Sequence, residues 1–217
     1  MSVVRARAAV WRLALALGIA VMAAMAASAD SPAPAMAPAS APASAPAAPA
    51  TVSPPTPATD PWQPVRFLLG KWRGTVQGEA GNGTVARNYE FVLGNRFIEE
   101  RNVSTYPAQE KNRKGEVHEH RSFISYDRAR RRLVLRQFHQ EGFVNTYAFN
   151  AAESSANVLV FDSESFENLD AAYGARETYE LSSNDEFVET FEVAEPGKPL
   201  ETYSRTRFTR VGRAAGE

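Results

Sequence analysis

Across residues 72–210 the apolar side chains recur at every second position, in short runs separated by glycine, proline, asparagine and aspartate. A period of two marks strands with one buried face, because successive side chains of a strand point to opposite sides. The runs lie near 72–79, 84–94, 96–106, 118–126, 131–139, 143–150, 157–164, 175–182, 186–194 and 199–210. Strong breakers stand between them: Gly81-Asn82-Gly83, Gly94-Asn95, Lys114-Gly115, Ser183-Asn184-Asp185 and Pro196-Gly197. Only residues 62–69 read otherwise, as one or two helical turns ending at Gly70. About ten short strands joined mostly by hairpins predict an all-β fold, an antiparallel up-and-down barrel with a short N-terminal helical segment. A two-sheet sandwich is the other arrangement compatible with the pattern.

The central runs specify a register. Setting Tyr126 against Arg131 across the connection 127–130 pairs Ile124 with Leu133, His120 with Gln137 and His118 with His139. The next connection, Gln140-Glu141-Gly142, suits a three-residue hairpin loop with its glycine in the left-handed region. It pairs Gln137 with Asn145 and Leu135 with Tyr147. One face then holds Ile124, Leu133, Leu135, Tyr147 and Phe149 at one end, and His118, His120, Gln137, His139 and Asn145 at the other. The opposite face carries Glu119, Arg121, Arg132 and Arg136, so the first face is expected inside. Near the C-terminus, Glu195-Pro196-Gly197-Lys198 suits a type II turn and sets Phe187 against Thr206. Across the turn at 183–185, Tyr179 faces Glu189, which puts Glu177 and Glu189 indoors as diagonal neighbours.

Composition divides the chain. Arg5, Arg7 and Arg12 precede an apolar run from Leu13 to Met25, and Ala27-Ser28-Ala29 follows, which is the form of a secretory leader over residues 1–29. The apolar run is short for a membrane span, so membrane contact is expected only through this segment if it is not cleaved. Residues 30–60 are almost wholly Ala, Pro, Ser and Thr and predict an extended tether. One barrel domain over 61–212 and a tail over 213–217 remain. The expected location is the bacterial periplasm or the exterior.

Charge and chemistry exclude several classes. The formal net charge of -1 argues against bulk neutralisation of nucleic acid, and the arginines at 128 and 130–132 have no interleaved aromatics. The chain has no cysteine, which removes disulfides, thiolate metal sites and cysteine nucleophiles. It contains no nucleophile elbow, phosphate loop, dinucleotide fingerprint or His-Glu-x-x-His pair.

Gly70-Lys71-Trp72-Arg73-Gly74 after Phe67-Leu68-Leu69, with Leu93-Gly94-Asn95-Arg96-Phe97 and Ser125-Tyr126-Asp127 further on, resembles the calycin barrels, and most of all the nitrobindin-like haem-binding barrels. The resemblance implies a calycin-like fold in which Trp72 plugs one end and an arginine of the last strand packs on its ring. Arg205 and Arg207 are the residues available for that part, although the register above puts both outside. It also implies haem held by a histidine late in the barrel. Residues 199–210 contain none, and Val76 interrupts the family's glycine pattern, so the resemblance extends to the fold and not to the activity.

Two constellations carry possible chemistry. His118, His120 and His139 are every histidine in the chain, and three neutral imidazoles with one open position form a transition-metal site such as catalytic zinc. They can equally be partly solvated strand-end residues or contacts to a polar ligand. Glu177 and Glu189 can share acid and base work, contact a ligand, or belong to a structural network with a buried arginine or tyrosine. Three functions stay open: a barrel binding a small, largely hydrophobic or amphipathic molecule; an enzyme using the histidine metal site or the paired carboxylates; and an envelope interaction module with a packed interior. In the first, Leu133, Leu135, Tyr147, Phe149, Phe187 and Phe191 supply an apolar wall, and the histidines, Gln137 and Asn145 orient a polar head. Haem and a transition metal are the cofactors this leaves open.

Overall fold

A computed structural model describes residues 60–213, and the expected leader, nearly all of the expected tether and residues 214–217 lie outside them. Ten strands form: β1 (Gly70–Gly78), β2 (Gly81–Val92), β3 (Phe97–Tyr106), β4 (Glu116–Asp127), β5 (Arg132–His139), β6 (Val144–Phe149), β7 (Val158–Glu167), β8 (Gly174–Ser183), β9 (Glu186–Ala194) and β10 (Glu201–Gly212). Each is antiparallel to its neighbours, and β10 returns to pair with β1, closing an up-and-down barrel. Closure satisfies both edges of the sheet, which an open sheet leaves exposed. A 3-10 helix, Gln63–Leu68, precedes β1, with Val65 and Leu68 buried against the core.

The two ends of the barrel differ because β3 to β6 change character along their inward faces. Ile98, Ile124, Leu135 and Tyr147 sit side by side across β3 to β6, and Glu100, Ser122, Gln137 and Asn145 form the next layer. Asn102, His120 and His139 form a third. Antiparallel pairing thus gathers the apolar residues at one end and the polar ones at the other. The apolar end is packed with Trp72, Tyr89, Tyr147, Phe161, Phe187 and Phe208, all essentially inaccessible.

Three local expectations are corrected. The first hairpin turns at Glu79 and Ala80, and Gly81-Asn82-Gly83 lies inside β2. Gly83 is needed there because a Cβ would stand 2.6 Å from the Thr105 carbonyl oxygen of β3. Between β4 and β5, Asp127 pairs with Arg132, so His120, not His118, faces His139. Asp127 accepts from the backbone N–H groups of Ala129 and Arg130, which keeps it as the last paired residue and moves the loop on by one position. Between β9 and β10 a bulge around Tyr203 shifts the register, so Phe187 faces Phe208 and Glu189 faces Thr206. The displaced pairings keep the expected inward faces in β4 and β5, because moving a partner by two positions preserves the side of the sheet.

Candidate functional site

The polar end holds a partly open cavity of about 240 Å³. His118, His120, Gln137, His139, Glu177 and Glu189, drawn from β4, β5, β8 and β9, all line it. Asn145 and Tyr147 do not; they stand one layer behind, Asn145 with its side-chain nitrogen 3.3 Å from His139 Nε2 and donating to the Tyr147 hydroxyl. The expected apolar wall is also revised. Leu133, Leu135, Tyr147 and Phe187 belong to the core of the apolar end and Phe149 packs against it, leaving Phe191 in the cavity with Val76 and Val85.

The histidines converge. Their ring centroids are 5.2–5.7 Å apart, and His118 Nε2 lies 3.3 Å from His139 Nδ1. Each ring is held from outside the group. His118 Nδ1 is 2.9 Å from Glu141 Oε1 of the β5–β6 loop, His120 Nε2 is 3.2 Å from Glu100 Oε1, and His139 stacks on Phe143 at 4.1 Å between centroids. Burial, together with the other two imidazoles, drives the pKa of His139 down to about 2, so its ring is neutral at any ordinary pH.

Arg87 of β2 is the centre that sequence reasoning missed. Its guanidinium grips both Glu189 oxygens, with the Nη2–Oε2 contact at 3.0 Å, and its Nε stands 2.9 Å from Glu100 Oε1 and from Asn102 Oδ1. This buried arginine with two carboxylates spans β2, β3 and β9. Burial pushes the Glu100 carboxyl up, but Arg87 and His120 outweigh it and hold the pKa at about 2. Glu177 has no such partner within hydrogen-bond reach. Burial, reinforced by Glu189, raises its pKa well above the ordinary carboxylate range, while Gln137 donates to Oε1 at 3.0 Å and the Tyr179 hydroxyl to Oε2 at 3.3 Å. The expected carboxylate pair is therefore split into a Glu189 clamped by Arg87 and a Glu177 whose proton affinity is raised by burial. A sequence signal for Arg87 existed: Val85, Arg87 and Tyr89 alternate onto one face of a strand, which sets an arginine indoors.

At the apolar end Trp72 is buried and its Nε1 donates to the Leu68 carbonyl at 2.6 Å. The arginine over its ring is Arg210, with Cζ 4.1 Å from the ring centroid. Arg205 and Arg207 stay on the outer face, since the inward residues of that strand are Thr206 and Phe208.

A family model described as the THAP4-like, heme-binding beta-barrel domain matches residues 62–210. No curated protein matches the chain in sequence. Among solved structures, Rv2717c from M. tuberculosis is similar in fold, with a TM-score of 0.52 and 15% identity over 70% of this chain and 98% of that one. A de novo designed fluorescence-activating beta barrel is more distant, with a TM-score of 0.33 and 13% identity over 68% of this chain and 97% of that one.

Proposed function

Since the chain belongs to the THAP4-like, heme-binding beta-barrel domain family, we propose that its barrel binds a compact polar or amphipathic molecule in the histidine-lined cavity. The observation that carries this reading is the contrast between the two ends. One end is packed solid with aromatic and aliphatic side chains, while the other keeps a partly open space ringed by hydrogen-bonding groups. Groups withdrawn from water without filling the interior are what a binding site requires, and a packed core does not. Gln137, Glu177 and the histidines would meet the polar part of the molecule, and Phe191, Val76 and Val85 its apolar part.

Haem, which the family description names, does not fit this interior. A macrocycle needs a broad apolar slot and an axial ligand presented to its face. The apolar half is already filled by Tyr147, Phe161, Phe187 and Phe208. The cavity of about 240 Å³ is smaller than ordinary small-molecule sites of about 300–1,000 Å³ and holds the Arg87 ion-pair network. β10 has no histidine, and the three imidazoles turn toward one another instead of toward a common slot.

The leader pattern of residues 1–29 supports binding in the periplasm or outside the cell. Native mass spectrometry of freshly purified protein, followed by thermal-shift screening of compact metabolites, tests the function. A retained small molecule, or a compound that raises the melting temperature in wild type and not in Gln137→Leu, is expected. A bare polypeptide that no compound stabilises would overturn the reading.

A further inference from the structure

We infer that His118, His120 and His139 bind one late first-row divalent transition ion, with zinc as the reference case, at the edge of the cavity. One ring nitrogen from each histidine falls within a set whose members are all within 4.8 Å of one another. In a tetrahedral zinc site with bonds of about 2.0–2.1 Å the ligand atoms stand about 3.3 Å apart. His118 Nε2 and His139 Nδ1 already stand at 3.3 Å. His120, whose ring centroid is 5.2 Å from that of His139, completes three ligands if its ring turns from Asn102 toward the other two.

The surroundings prepare these nitrogens as donors to a metal. The Glu141 carboxylate accepts from His118 Nδ1–H, which leaves the lone pair on Nε2, the atom that faces His139. A carboxylate behind a histidine in this way is the usual means of fixing a ligating tautomer. Glu100 does the same from Nε2 of His120, leaving Nδ1 as its basic nitrogen; the Asn102 side-chain nitrogen, 3.4 Å from that Nδ1, has to give way to the ion.

Behind His139, Asn145 adds an independent observation. Its Oδ1 is buried without a hydrogen-bond partner, while its nitrogen faces His139 Nε2 at 3.3 Å and the Tyr147 hydroxyl at 3.1 Å. Turning this amide over would let Oδ1 accept from both His139 Nε2–H and the tyrosine hydroxyl. That arrangement pairs the oxygen, leaves the amide nitrogen in the position the oxygen held, and requires the basic nitrogen of His139 to be Nδ1, the atom facing His118.

Three imidazoles select zinc, copper, nickel, cobalt or iron(II), and they discriminate against magnesium and calcium, which take oxygen ligands. All three rings line the cavity, so a fourth coordination position opens toward it. A cavity molecule with a carboxylate or a heterocyclic nitrogen could occupy that position. The metal site itself does not depend on any such molecule.

The test uses untagged full chain stripped with chelator, titrated with Zn²⁺ against a chromophoric competitor and with Co²⁺ by visible absorption. One ion per chain and the intense bands of four-coordinate Co²⁺ are expected. His118→Gln and His139→Gln should each lose at least about 100-fold in Zn²⁺ affinity. Glu141→Gln, which keeps every histidine, should lose about 10–100-fold. Circular dichroism of the metal-free proteins checks the fold; if His139→Gln misfolds, His118→Gln and Glu141→Gln carry the test. Less than stoichiometric uptake by wild type, or folded variants that bind as tightly as wild type, overturns the site. A chain that takes Zn²⁺ and no organic molecule would overturn only the small-molecule reading, and the reverse result would overturn only this one.

Discussion

Arg210 lies over the Trp72 indole, its Cζ 4.1 Å from the ring centroid, and the same guanidinium donates to the carbonyl oxygens of Phe67, Leu69 and Asn184. One side chain thereby ties the end of β10 to β1, to the 3-10 helix and to the β8–β9 turn. These are charge-assisted bonds from a guanidinium whose side chain is only 6% exposed, so they contribute more than surface pairs do. Arg210→Ala is expected to lower stability by about 2–4 kcal/mol, from lost cation–π contact and carbonyl groups left without their donor. Arg205→Ala, which removes an exposed pair with Glu180, should change stability by less than about 0.5 kcal/mol. Urea denaturation of the two variants side by side checks the contrast.

The Arg87 network makes a second prediction. Arg87→Met leaves Glu100 and Glu189 buried without their cation, and removing one partner of a buried ion group costs about 3–5 kcal/mol. The same denaturation experiment reads it. A loss below about 1 kcal/mol would mean that water reaches these carboxylates and the network is not desolvated.

Glu177 predicts a pH dependence. Burial, with Glu189 adding to it, raises its folded pKa above the ordinary value of 4.5. A group raised in this way contributes fully below its unfolded pKa and loses that contribution as pH climbs through the folded value. Glu177 therefore weakens the protein progressively as pH rises from about 4.5. Glu177→Gln keeps an acceptor for Gln137 and cannot ionise, so its stability relative to wild type should be greater at pH 8 than at pH 4. Melting curves at pH 4, 6 and 8 test this. A relative stability that falls with increasing pH would mean that Glu177 is ionised in the fold.

Gly74 predicts an effect of volume. A Cβ at this position would come within 2.8 Å of Thr206 Cγ2 and 2.9 Å of the Phe208 ring. Phe208 is itself stacked on Phe187, so neither ring can yield freely. Gly74→Ala should cost about 1–3 kcal/mol through overpacking. Gly94 lies in a turn with nothing near its Cβ position, but its φ of 69° strains any side chain, so the cost of Gly94→Ala is purely conformational. Gly94→Asn should recover part of that cost, because asparagine tolerates the left-handed region, whereas Gly74→Asn should be worse than Gly74→Ala. Melting temperatures of the four variants separate the two causes.

Local pattern determined the strand set and the inward face of the central strands, because a two-residue repeat survives any even displacement of the register. It placed His118, His120, His139, Gln137, Glu177 and Glu189 indoors for that reason. What it could not determine was which residues meet. The pairing of His120 with His139 depended on Asp127 capping its own turn, and the pairing of Phe187 with Phe208 on a bulge around Tyr203. Arg87 and Glu189 stand 102 positions apart and touch only across the closed barrel, so no local repeat could join them. Likewise Arg210, not Arg205 or Arg207, reached Trp72, because only closure of β10 on β1 fixes which arginine lies over the ring. Alternation acts between neighbours in the chain and can be read there, whereas partners across a barrel are selected by turn geometry and closure, which exist only once the whole sheet has formed.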